Sequence, residues 1–412
     1  MARRFDIPGF YRSELISRIK EIRNSADPRR LDLSPSLLEL GSLRIKIARH
    51  FGFCFGVENA IEIAYRALRE NPDQRVYLLS EMIHNPHVNA DLRERGVSFI
   101  MSPAGQQLVS FDSLQAGDIV IVPAFGTTPE MFSIMEQRGV DLRRYDATCP
   151  FVEKVWRRAA QLGDDNCTVI IHGKESHEET RATFAHAIQN AHSLVIRDRE
   201  EAACLAQFIR TGNFEDFSRT FTGRFSTGFD PRLHLIRLGV VNQTTMLAGE
   251  TREIAGILRA ALAARFGEGD IRQHFADTRD TLCYATSENQ ESIRAMLESG
   301  GDLALVVGGY NSSNTSHLVE LCQEKVPTYY IKDAVEILSR DEIRHLELAS
   351  HSVRTSEGWL NTAKAPLEIL LSAGASCPDV LVDQVIMRLI KISGQEVYLE
   401  GAIAALQASY SA

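Results

Sequence analysis

Short apolar runs alternate with helix-like patterns along most of the chain. After residue 42, most apolar runs of strand length are followed by apolar positions that recur at the spacing of one helix face. The strand-like runs are 43–48, 76–79, 118–124, 168–172, 233–241, 303–307, 328–332 and 368–372. This alternation predicts an α/β protein with parallel sheets covered by helices. Because such sheets bind ligands beyond the carboxyl ends of their strands, the segments that follow the strands are the candidate site.

Three cysteines that are far apart in the sequence each stand close to the start of a predicted helix. Cys54 follows the first strand in Gly-Phe-Cys-Phe-Gly-Val, and Cys149 precedes Pro150, which suits a first helical turn. Cys283 precedes the Ser-Glu-Asn-Gln capping pattern at 287–290. Taken singly, each is most simply a small buried cysteine before a helix. Together, three thiols at helix starts suit a metal or a cluster better than a disulfide, and they hint at three similar units around one centre.

The remaining cysteines divide into one further candidate and three core residues. Cys377 lies in Ala-Ser-Cys-Pro, which echoes Ala-Thr-Cys-Pro around Cys149, so the pattern alone nominates it as a fourth ligand. Cys167 lies in a strand-like run, and Cys204 and Cys322 lie on helical patterns. These three positions favour packing over chemistry.

Polar side chains follow two of the predicted strands. His84 and His87 come after the run 76–79 and are interpreted as ligands, phosphate contacts or solvated loop residues. Asn-Gln-Thr-Thr at 242–245 offers neutral groups that suit either substrate hydrogen bonds or a helix cap.

A segment dense in titratable groups follows the run 168–172. Its sequence, Gly-Lys-Glu-Ser-His-Glu-Glu-Thr, suits a helix N-terminus with acids in the first turn. A sharper interpretation makes His177 an anion contact and either Glu178 or Glu179 a proton donor.

A glycine-rich segment at 308–316 follows the run 303–307. Its glycines allow the backbone to approach a ligand, and its hydroxyl, amide and helix N–H groups form an anion site without Lys or Arg. It lacks Gly-Lys-Ser/Thr, so it is not a P-loop.

The composition narrows the class of protein. The 412 residues carry a net charge of −9 with no Lys/Arg block, which argues against broad nucleic-acid or anionic-membrane binding. No apolar run reaches the ~18 residues of a membrane span. The seven cysteines lack paired spacing, and the first residues lack a signal core, so we expect the reducing cytoplasm.

The predicted organisation has three similar α/β units and two ends. Residues 1–42 are interpreted as an extension, packed on the body or used in self-association, in which a short amphipathic helix is followed by a Pro/Ser-rich connection. The aromatic-rich insert near 209–231 is interpreted as a lid or a subunit contact. The predicted segments are the extension 1–42, the units 43–148, 149–282 and 283–392, and the tail 393–412.

The ordered set of motifs resembles one family, the iron–sulfur hydroxymethylbutenyl diphosphate reductases of the non-mevalonate isoprenoid pathway. The resemblance runs from about residue 43 to about residue 392. Its motifs are Gly-Phe-Cys-Phe-Gly-Val, Asp-Ala-Thr-Cys-Pro, Gln-Thr-Thr, Cys-Tyr-Ala-Thr, Asn-Ser-Ser-Asn and Ala-Gly-Ala-Ser, in this order.

This resemblance implies a fold, a cofactor and a set of site residues. The family fold is three α/β units in pseudo-threefold arrangement around one central [4Fe–4S] cluster per chain, with one iron left open. Glu179 matches the acid that delivers protons, and Thr244 matches the threonine that helps place the substrate hydroxyl. The cluster ligands implied are Cys54, Cys149 and Cys283. The diphosphate contacts implied are His84, His177, Ser312, Ser313, Asn314 and Ser376.

The chain departs from many bacterial members at one position. Phe125 stands where they carry a histidine, so a hydrogen bond to the substrate is absent there. The phenylalanine, the aromatic insert and the extension resemble the cyanobacterial and plastid branch. Cys377 matches a position that the family does not use as a ligand, which overrides the pattern-based nomination.

The resemblance implies a diphosphate substrate and an external one-electron donor such as ferredoxin or flavodoxin. Nucleic acid and membrane are not expected as partners, and a homodimer is left open. Two alternatives remain at this point: an iron–sulfur hydro-lyase without net redox change, and a non-catalytic iron–sulfur sensor or zinc-stabilised binding module. Electron consumption per product separates the first from a reductase, and acid-labile sulfide excludes zinc.

Overall fold

The computed structural model describes residues 5–276, 281, 283–360 and 365–410. Its strands are β1 (Ser36–Leu40), β2 (Leu43–Ile47), β3 (Val76–Leu78), β4 (Ser98–Phe99), β5 (Ile119–Ile121), β6 (Thr168–His172), β7 (Ser193–Ile196), β8 (Leu238–Asn242), β9 (Leu303–Val307), β10 (Thr328–Ile331), β11 (Glu342–Glu347), β12 (Ser352–Glu357) and β13 (Leu367–Ala373). Its helices are α1 (Glu14–Ala26), α2 (Phe55–Glu70), α3 (Pro86–Glu94), α4 (Pro129–Gln137), α5 (Pro150–Asp164), α6 (Glu178–Ala187), α7 (Arg199–Thr211), α8 (Phe217–Thr220), α9 (Pro231–His234), α10 (Ala248–Phe266), α11 (Ile271–His274), α12 (Tyr284–Glu298), α13 (Ser313–Gln323), α14 (Asp379–Ser393) and α15 (Leu399–Ser409).

The chain forms two compact units. Unit 1 contains Met1–Glu58, His84–His87 and Tyr284–Ala412, and unit 2 contains Asn59–Ile83 and Val88–Cys283. The sequence-based boundaries at 42, 148, 282 and 392 stay a prediction. No helix in the described ranges combines the length and the apolar character that crossing a membrane requires.

Unit 1 is built on a 7-stranded sheet with the order β1-β2-β13-β9-β10-β11-β12. The four strands β2, β13, β9 and β10 run parallel, and the strands at both edges run antiparallel. All of β9 is buried, as expected for a parallel strand that is covered on both faces. The apolar side chains of this sheet pack with α1, α14 and α15 into one core.

The N-terminal segment is part of this core. Ser13 caps α1 by accepting the N–H of Ile16 at 3.1 Å, and Ile16 and Ile19 are fully buried against the sheet. The predicted helix is therefore confirmed. The connection predicted after it is wrong in part, because residues 36–40 form β1, which pairs antiparallel with β2. Two residues, 41 and 42, link the strands, and Gly41 supplies the positive φ that so tight a turn needs.

Unit 2 contains two small parallel sheets, with the orders β4-β3-β5 and β7-β6-β8. Every residue of β6 and β8 is buried. These sheets confirm the predicted α/β class with small parallel sheets. The pseudo-threefold arrangement of three units stays a prediction.

The aromatic segment near 209–231 belongs to the core of unit 2. Phe217 and Phe221 are almost fully buried and pack with α7 and α10. The strand predicted at 233–241 begins too early. Pro231 starts the short helix α9, which Asp230 caps through the N–H of Arg232, and β8 follows only at Leu238.

We predict that Ile19→Ala destabilises the protein by about 3 kcal/mol, because it leaves a cavity in the core of unit 1. The measurement is the free energy of unfolding in urea. Glu21→Ala, on the exposed side of the same helix, serves as control and changes stability by less than about 0.5 kcal/mol. Equal stability of the two variants would contradict a structural role of the N-terminal segment.

Candidate active site

Three neighbouring parallel strands of unit 1 end at the same edge of the sheet. β13 lies between β2 and β9, and the hydrogen-bond pattern continues into the loops that follow them. The N–H of Gly374 donates to the carbonyl of Val307 at 3.0 Å, and the N–H of Cys54 donates to the carbonyl of Ala375 at 3.1 Å. The sheet therefore sets the positions of three candidate loops relative to one another.

The start of α13 offers hydrogen-bond donors. Ser312 is the N-cap, and its Oγ accepts the N–H of Thr315 at 3.2 Å. Asn314 accepts the N–H of Ala375 at 2.8 Å through Oδ1, whereas its Nδ2 is buried with no hydrogen-bond partner in the described chain. Because a buried donor without an acceptor is costly, this amide at a helix start fits an anionic ligand.

His84 and Ser376 lie beside this helix start. Nδ1 of His84 is 3.3 Å from Nδ2 of Asn311, and the Ser376 hydroxyl donates to the His84 carbonyl at 3.2 Å. We call His84, Asn311, Ser312, Asn314 and Ser376 the strand-end cluster. Ser313, which is also buried, is the first residue of α13 beside it.

Two further observations concern the surroundings of the strand-end cluster. His87 is turned to another partner, since its Nε2 lies 3.0 Å from Oδ2 of Asp333. Gly374 allows the close approach of the two loops, because a Cβ there would lie 2.0 Å from Oγ1 of Thr315. The polar loops that the sequence predicted to form an anion site are thus in direct contact within unit 1.

In unit 2, the carboxyl group of Glu179 is held by one residue at both oxygens. Oε1 accepts the backbone N–H of Thr244 at 2.5 Å, and Oε2 accepts its hydroxyl at 2.9 Å. Glu179 is only 1% exposed. The strand-end motifs at 173–180 and 242–245 therefore meet, and they fix the direction of a buried carboxyl group.

His177 stands at the N-cap of α6. Its Nδ1 accepts the N–H of Glu179 at 3.2 Å, so a neutral imidazole carries its proton on Nε2. The ring of Phe125 packs against the imidazole edge-to-face, with 5.7 Å between centroids and an interplanar angle of 83°. Phe125 thus contributes a ring contact with His177.

One glutamine and one asparagine side chain hold the loops around Glu179 in place. Oε1 of Gln243 accepts the Lys174 N–H at 3.2 Å and the Thr180 hydroxyl at 3.0 Å. Oδ1 of Asn242 accepts the hydroxyl of Thr281 at 2.7 Å, two residues before Cys283. Sequence reasoning singled out the Gln-Thr-Thr motif but not these bracing roles, which only the folded contacts reveal.

Each of the three candidate ligand cysteines directly precedes a helix. Cys54 precedes α2, Cys149 is the N-cap of α5 with Pro150 in the first turn, and Cys283 precedes α12. Cys54 and Cys149 are half-buried, Cys283 is buried, and all seven cysteines are thiols outside any disulfide. The positive end of a helix favours a thiolate, so all three positions suit metal ligation.

The other buried cysteines are in different surroundings. Burial raises the pKa of Cys322 to about 12, and it also raises the pKa of Cys167 and Cys377. Cys377 lies in the core of unit 1, and Pro378, rather than the cysteine, is the N-cap of α14. The similar motif at Cys377 therefore lies one residue farther from the start of α14 than the Cys149 motif lies from the start of α5.

No group of three or more His, Cys, Asp or Glu side chains among the described residues is close enough to bind a single metal ion. Thiolates that each bind a different iron of one cluster lie farther apart than the ligands of one ion. The chemistry of the donor set, three thiols at helix starts, fits such a cluster.

The fold and these groups define an α/β protein with a buried amide donor at a helix start, a buried carboxyl group and thiols at three helix starts. The family model described as "LytB protein" matches residues 45–390. The chain belongs to this family, and the resemblance inferred from its motifs is confirmed.

Curated relatives from Synechococcus and Prochlorococcus have the same name. The "4-hydroxy-3-methylbut-2-enyl diphosphate reductase" of Synechococcus sp. (strain RCC307) is 39% identical over 385 residues, which cover 93% of this chain and 89% of the relative. The protein of that name from Prochlorococcus marinus (strain MIT 9211) is 38% identical over 367 residues, which cover 88% of each. Similarity to the cyanobacterial branch is therefore also confirmed.

Two solved structures of proteins with the corresponding name have a similar fold. The structure described as (E)-4-hydroxy-3-methyl-but-2-enyl diphosphate reductase, "the Terminal Enzyme of the Non-Mevalonate Pathway", is 27% identical with a TM-score of 0.51, and the match covers 84% of this chain and 99% of that one. The E-1-hydroxy-2-methyl-but-2-enyl-4-diphosphate reductase of Plasmodium falciparum shares the fold with a TM-score of 0.61 at 21% identity, over 85% of this chain and 89% of that one.

We predict that Asn314→Asp weakens binding of inorganic diphosphate about tenfold or more, because a carboxylate replaces the buried N–H donor. Isothermal titration calorimetry measures the dissociation constant. Asn213→Asp makes the same change at an exposed position of unit 2 and is expected to leave binding unchanged. Unaltered affinity in Asn314→Asp would remove this amide from the anion site.

Proposed function

We propose that this chain catalyses the reductive dehydroxylation of 4-hydroxy-3-methylbut-2-enyl diphosphate. Two electrons and two protons replace the allylic hydroxyl group by hydrogen and release water. Protonation at either end of the allyl fragment gives isopentenyl or dimethylallyl diphosphate. The observation that carries the proposal is the buried Glu179 carboxyl group held by Thr244, in a chain whose relatives bear the name of this reductase.

Cys54, Cys149 and Cys283 are assigned as ligands of one [4Fe–4S] cluster. Their positions before three helices support the assignment, and so does the contrast with the core thiols of Cys322 and Cys377. When bound, such a cluster supplies single electrons and a Lewis-acidic iron without a protein ligand.

Glu179 is assigned as the proton donor. Hydroxide is a poor leaving group, so a proton must reach the oxygen as the C–O bond breaks. Since Thr244 contacts both carboxyl oxygens, the donor has one fixed direction, and the same threonine hydroxyl is assigned to place the substrate hydroxyl. Fixed donors of this kind avoid reorganisation during the reaction.

The diphosphate end of the substrate is assigned to groups that donate hydrogen bonds and carry little net charge. The unpartnered Nδ2 of Asn314 and the N-terminal N–H groups of α13 support this assignment. His177 adds its Nε2 proton, since Nδ1 is used as an acceptor. The assigned contacts are His84, His177, Ser312, Ser313, Asn314 and Ser376.

Partners and compartment follow from the chemistry. A cluster that passes single electrons needs an external donor such as ferredoxin or flavodoxin. Thiols at all seven cysteines suit the cytoplasm, where a reducing environment preserves them.

The proposal is tested by anaerobic purification, iron and acid-labile sulfide analysis, and turnover with a chemical reductant. The reductase reaction consumes two electrons per molecule of product. Turnover without electron consumption would indicate a hydro-lyase, and a cluster without turnover would indicate a sensor; either result would overturn the proposal. Zinc in place of iron and sulfide would overturn the cluster assignment.

We predict that Glu179→Gln retains its iron and sulfide but loses about 100-fold or more of its turnover, because the amide has no acidic proton to give. Steady-state product formation measures the effect. The neighbouring Glu178→Gln is the matched control and is expected to keep activity within about a few-fold. Full activity in Glu179→Gln would exclude the proton-donor role.

We predict that Cys54→Ser, Cys149→Ser and Cys283→Ser each lose the cluster and its visible absorbance together. Cys377→Ser, the control in the core of unit 1, is expected to keep both. Iron, sulfide and the visible spectrum are measured after anaerobic purification. Loss of the cluster in Cys377→Ser would require a different ligand set.

A further inference from the structure

The N-terminal segment of unit 1 contacts the loop that carries Cys54 at several positions along its length. This loop, residues 49–55, runs from the end of β2 to the start of α2. Residues 5–27, which include α1, contact this loop. The Cys54 N–H is bonded to the loop after β13.

Lys20 makes the central contact. Its ammonium nitrogen lies 2.7 Å from Oδ1 of Asp379, 3.4 Å from the carbonyl oxygen of Phe51 and 4.6 Å from the centroid of the Phe51 ring. The ion pair is largely shielded, with the side chains 29% and 17% exposed. A charge-assisted contact to a carbonyl fixes the backbone at Phe51.

The same ion pair packs directly on Gly52. Gly52 has a φ of +81°, and a Cβ there would lie 2.7 Å from Oδ1 of Asp379 and 3.3 Å from Nζ of Lys20. The backbone two residues before Cys54 is therefore confined by both conformation and space.

Ring contacts and an arginine extend the same interface. Tyr11 packs on Phe53 with 5.8 Å between centroids, and Phe5 packs on Phe55 with 4.9 Å. Phe53 and Phe55 flank Cys54. At the near end of the loop, Arg49 donates to Oδ1 of Asn24 at 3.2 Å and to the Asp27 carbonyl at 3.4 Å.

We propose that residues 5–27 form a clamp on the loop 49–55, and that Lys20 is a positioning residue that sets where the Cys54 sulfur lies. The inference that the clamp serves cluster retention rests on the proposed function. A ligand held in place before binding loses less conformational entropy when it binds, so a loosened loop releases iron sooner. The clamp itself is a property of the fold and is tested separately.

The first measurement uses the full-length, iron-free chain. Lys20→Met and unchanged protein are treated with iodoacetamide under anaerobic conditions, and labelling at each cysteine is followed by peptide mass spectrometry. Cys54 in Lys20→Met is expected to react about fivefold faster, the size expected from loss of one hydrogen bond of ordinary strength. Cys204 reports reagent activity, and the buried Cys322 and Cys377 report whether the core stays closed.

Arg18→Met is the matched control variant. It removes a charge from the same helix, where Arg18 pairs with Glu400 at 3.3 Å on the surface. We expect labelling equal to that of the unchanged chain. Equal Cys54 rates in Lys20→Met and Arg18→Met would overturn the clamp. Acceleration at Cys322 and Cys377 as large as at Cys54 would also overturn it, because that pattern indicates general loosening.

The second measurement uses the same three proteins with their iron, challenged with a chelator while the visible absorbance is followed. Lys20→Met is expected to lose iron about fivefold faster than Arg18→Met and the unchanged chain. Equal rates would overturn the role in cluster retention. If the unchanged chain holds no iron and sulfide at all, the proposed function fails, whereas the labelling result still decides whether the clamp exists.

Discussion

The continuation of sheet hydrogen bonding beyond the strands is the constraint on which the candidate site depends. In unit 1, the loop after β13 is joined to the end of β9 by the hydrogen bond from Gly374 to Val307, and to the loop after β2 by the hydrogen bond from Cys54 to Ala375. In unit 2, the N–H of Cys149 donates to the Ala124 carbonyl at 3.0 Å, and the N–H of Gln243 donates to the His172 carbonyl at 2.8 Å. The loops therefore inherit the register of the strands that precede them, which sets where their polar side chains lie.

The parts of the fold that could be predicted are those in which local pattern and tertiary environment agree. Thr168–His172 and Leu303–Val307 were predicted at the observed bounds, because a continuous apolar run suits a strand buried on both faces. β12 carries no such signal, since its Ser-Val-Arg-Thr-Ser-Glu side chains are almost all exposed. β1 has a weak sequence signal, because its short alternation stands directly after Pro35, which favours a connection.

The candidate site was predictable as a set of residue types but not as contacts. Motif order identified Glu179 and Thr244, yet the double contact between them depends on the pairing of β6 with β8, which lie far apart in sequence. Phe125 was recognised only as the loss of a hydrogen bond, whereas its ring packs on His177. Cys377 illustrates the limit of motif echoes, because it repeats the sequence pattern around Cys149 and yet lies among the core side chains of unit 1.

The strand order of unit 1 has a consequence for the way the protein is made. β13 is the last of the described strands along the chain, yet it lies inside the sheet, between β2 and β9. A ribosome that has released residues up to β12 has therefore produced a sheet in which the place between β2 and β9 is still empty. The carbonyl of Ala375, which receives the Cys54 N–H, arrives only with that last strand. The Cys54 region therefore lacks this contact until residue 375 has been synthesised, whereas unit 2, which ends at Cys283, is available to fold earlier.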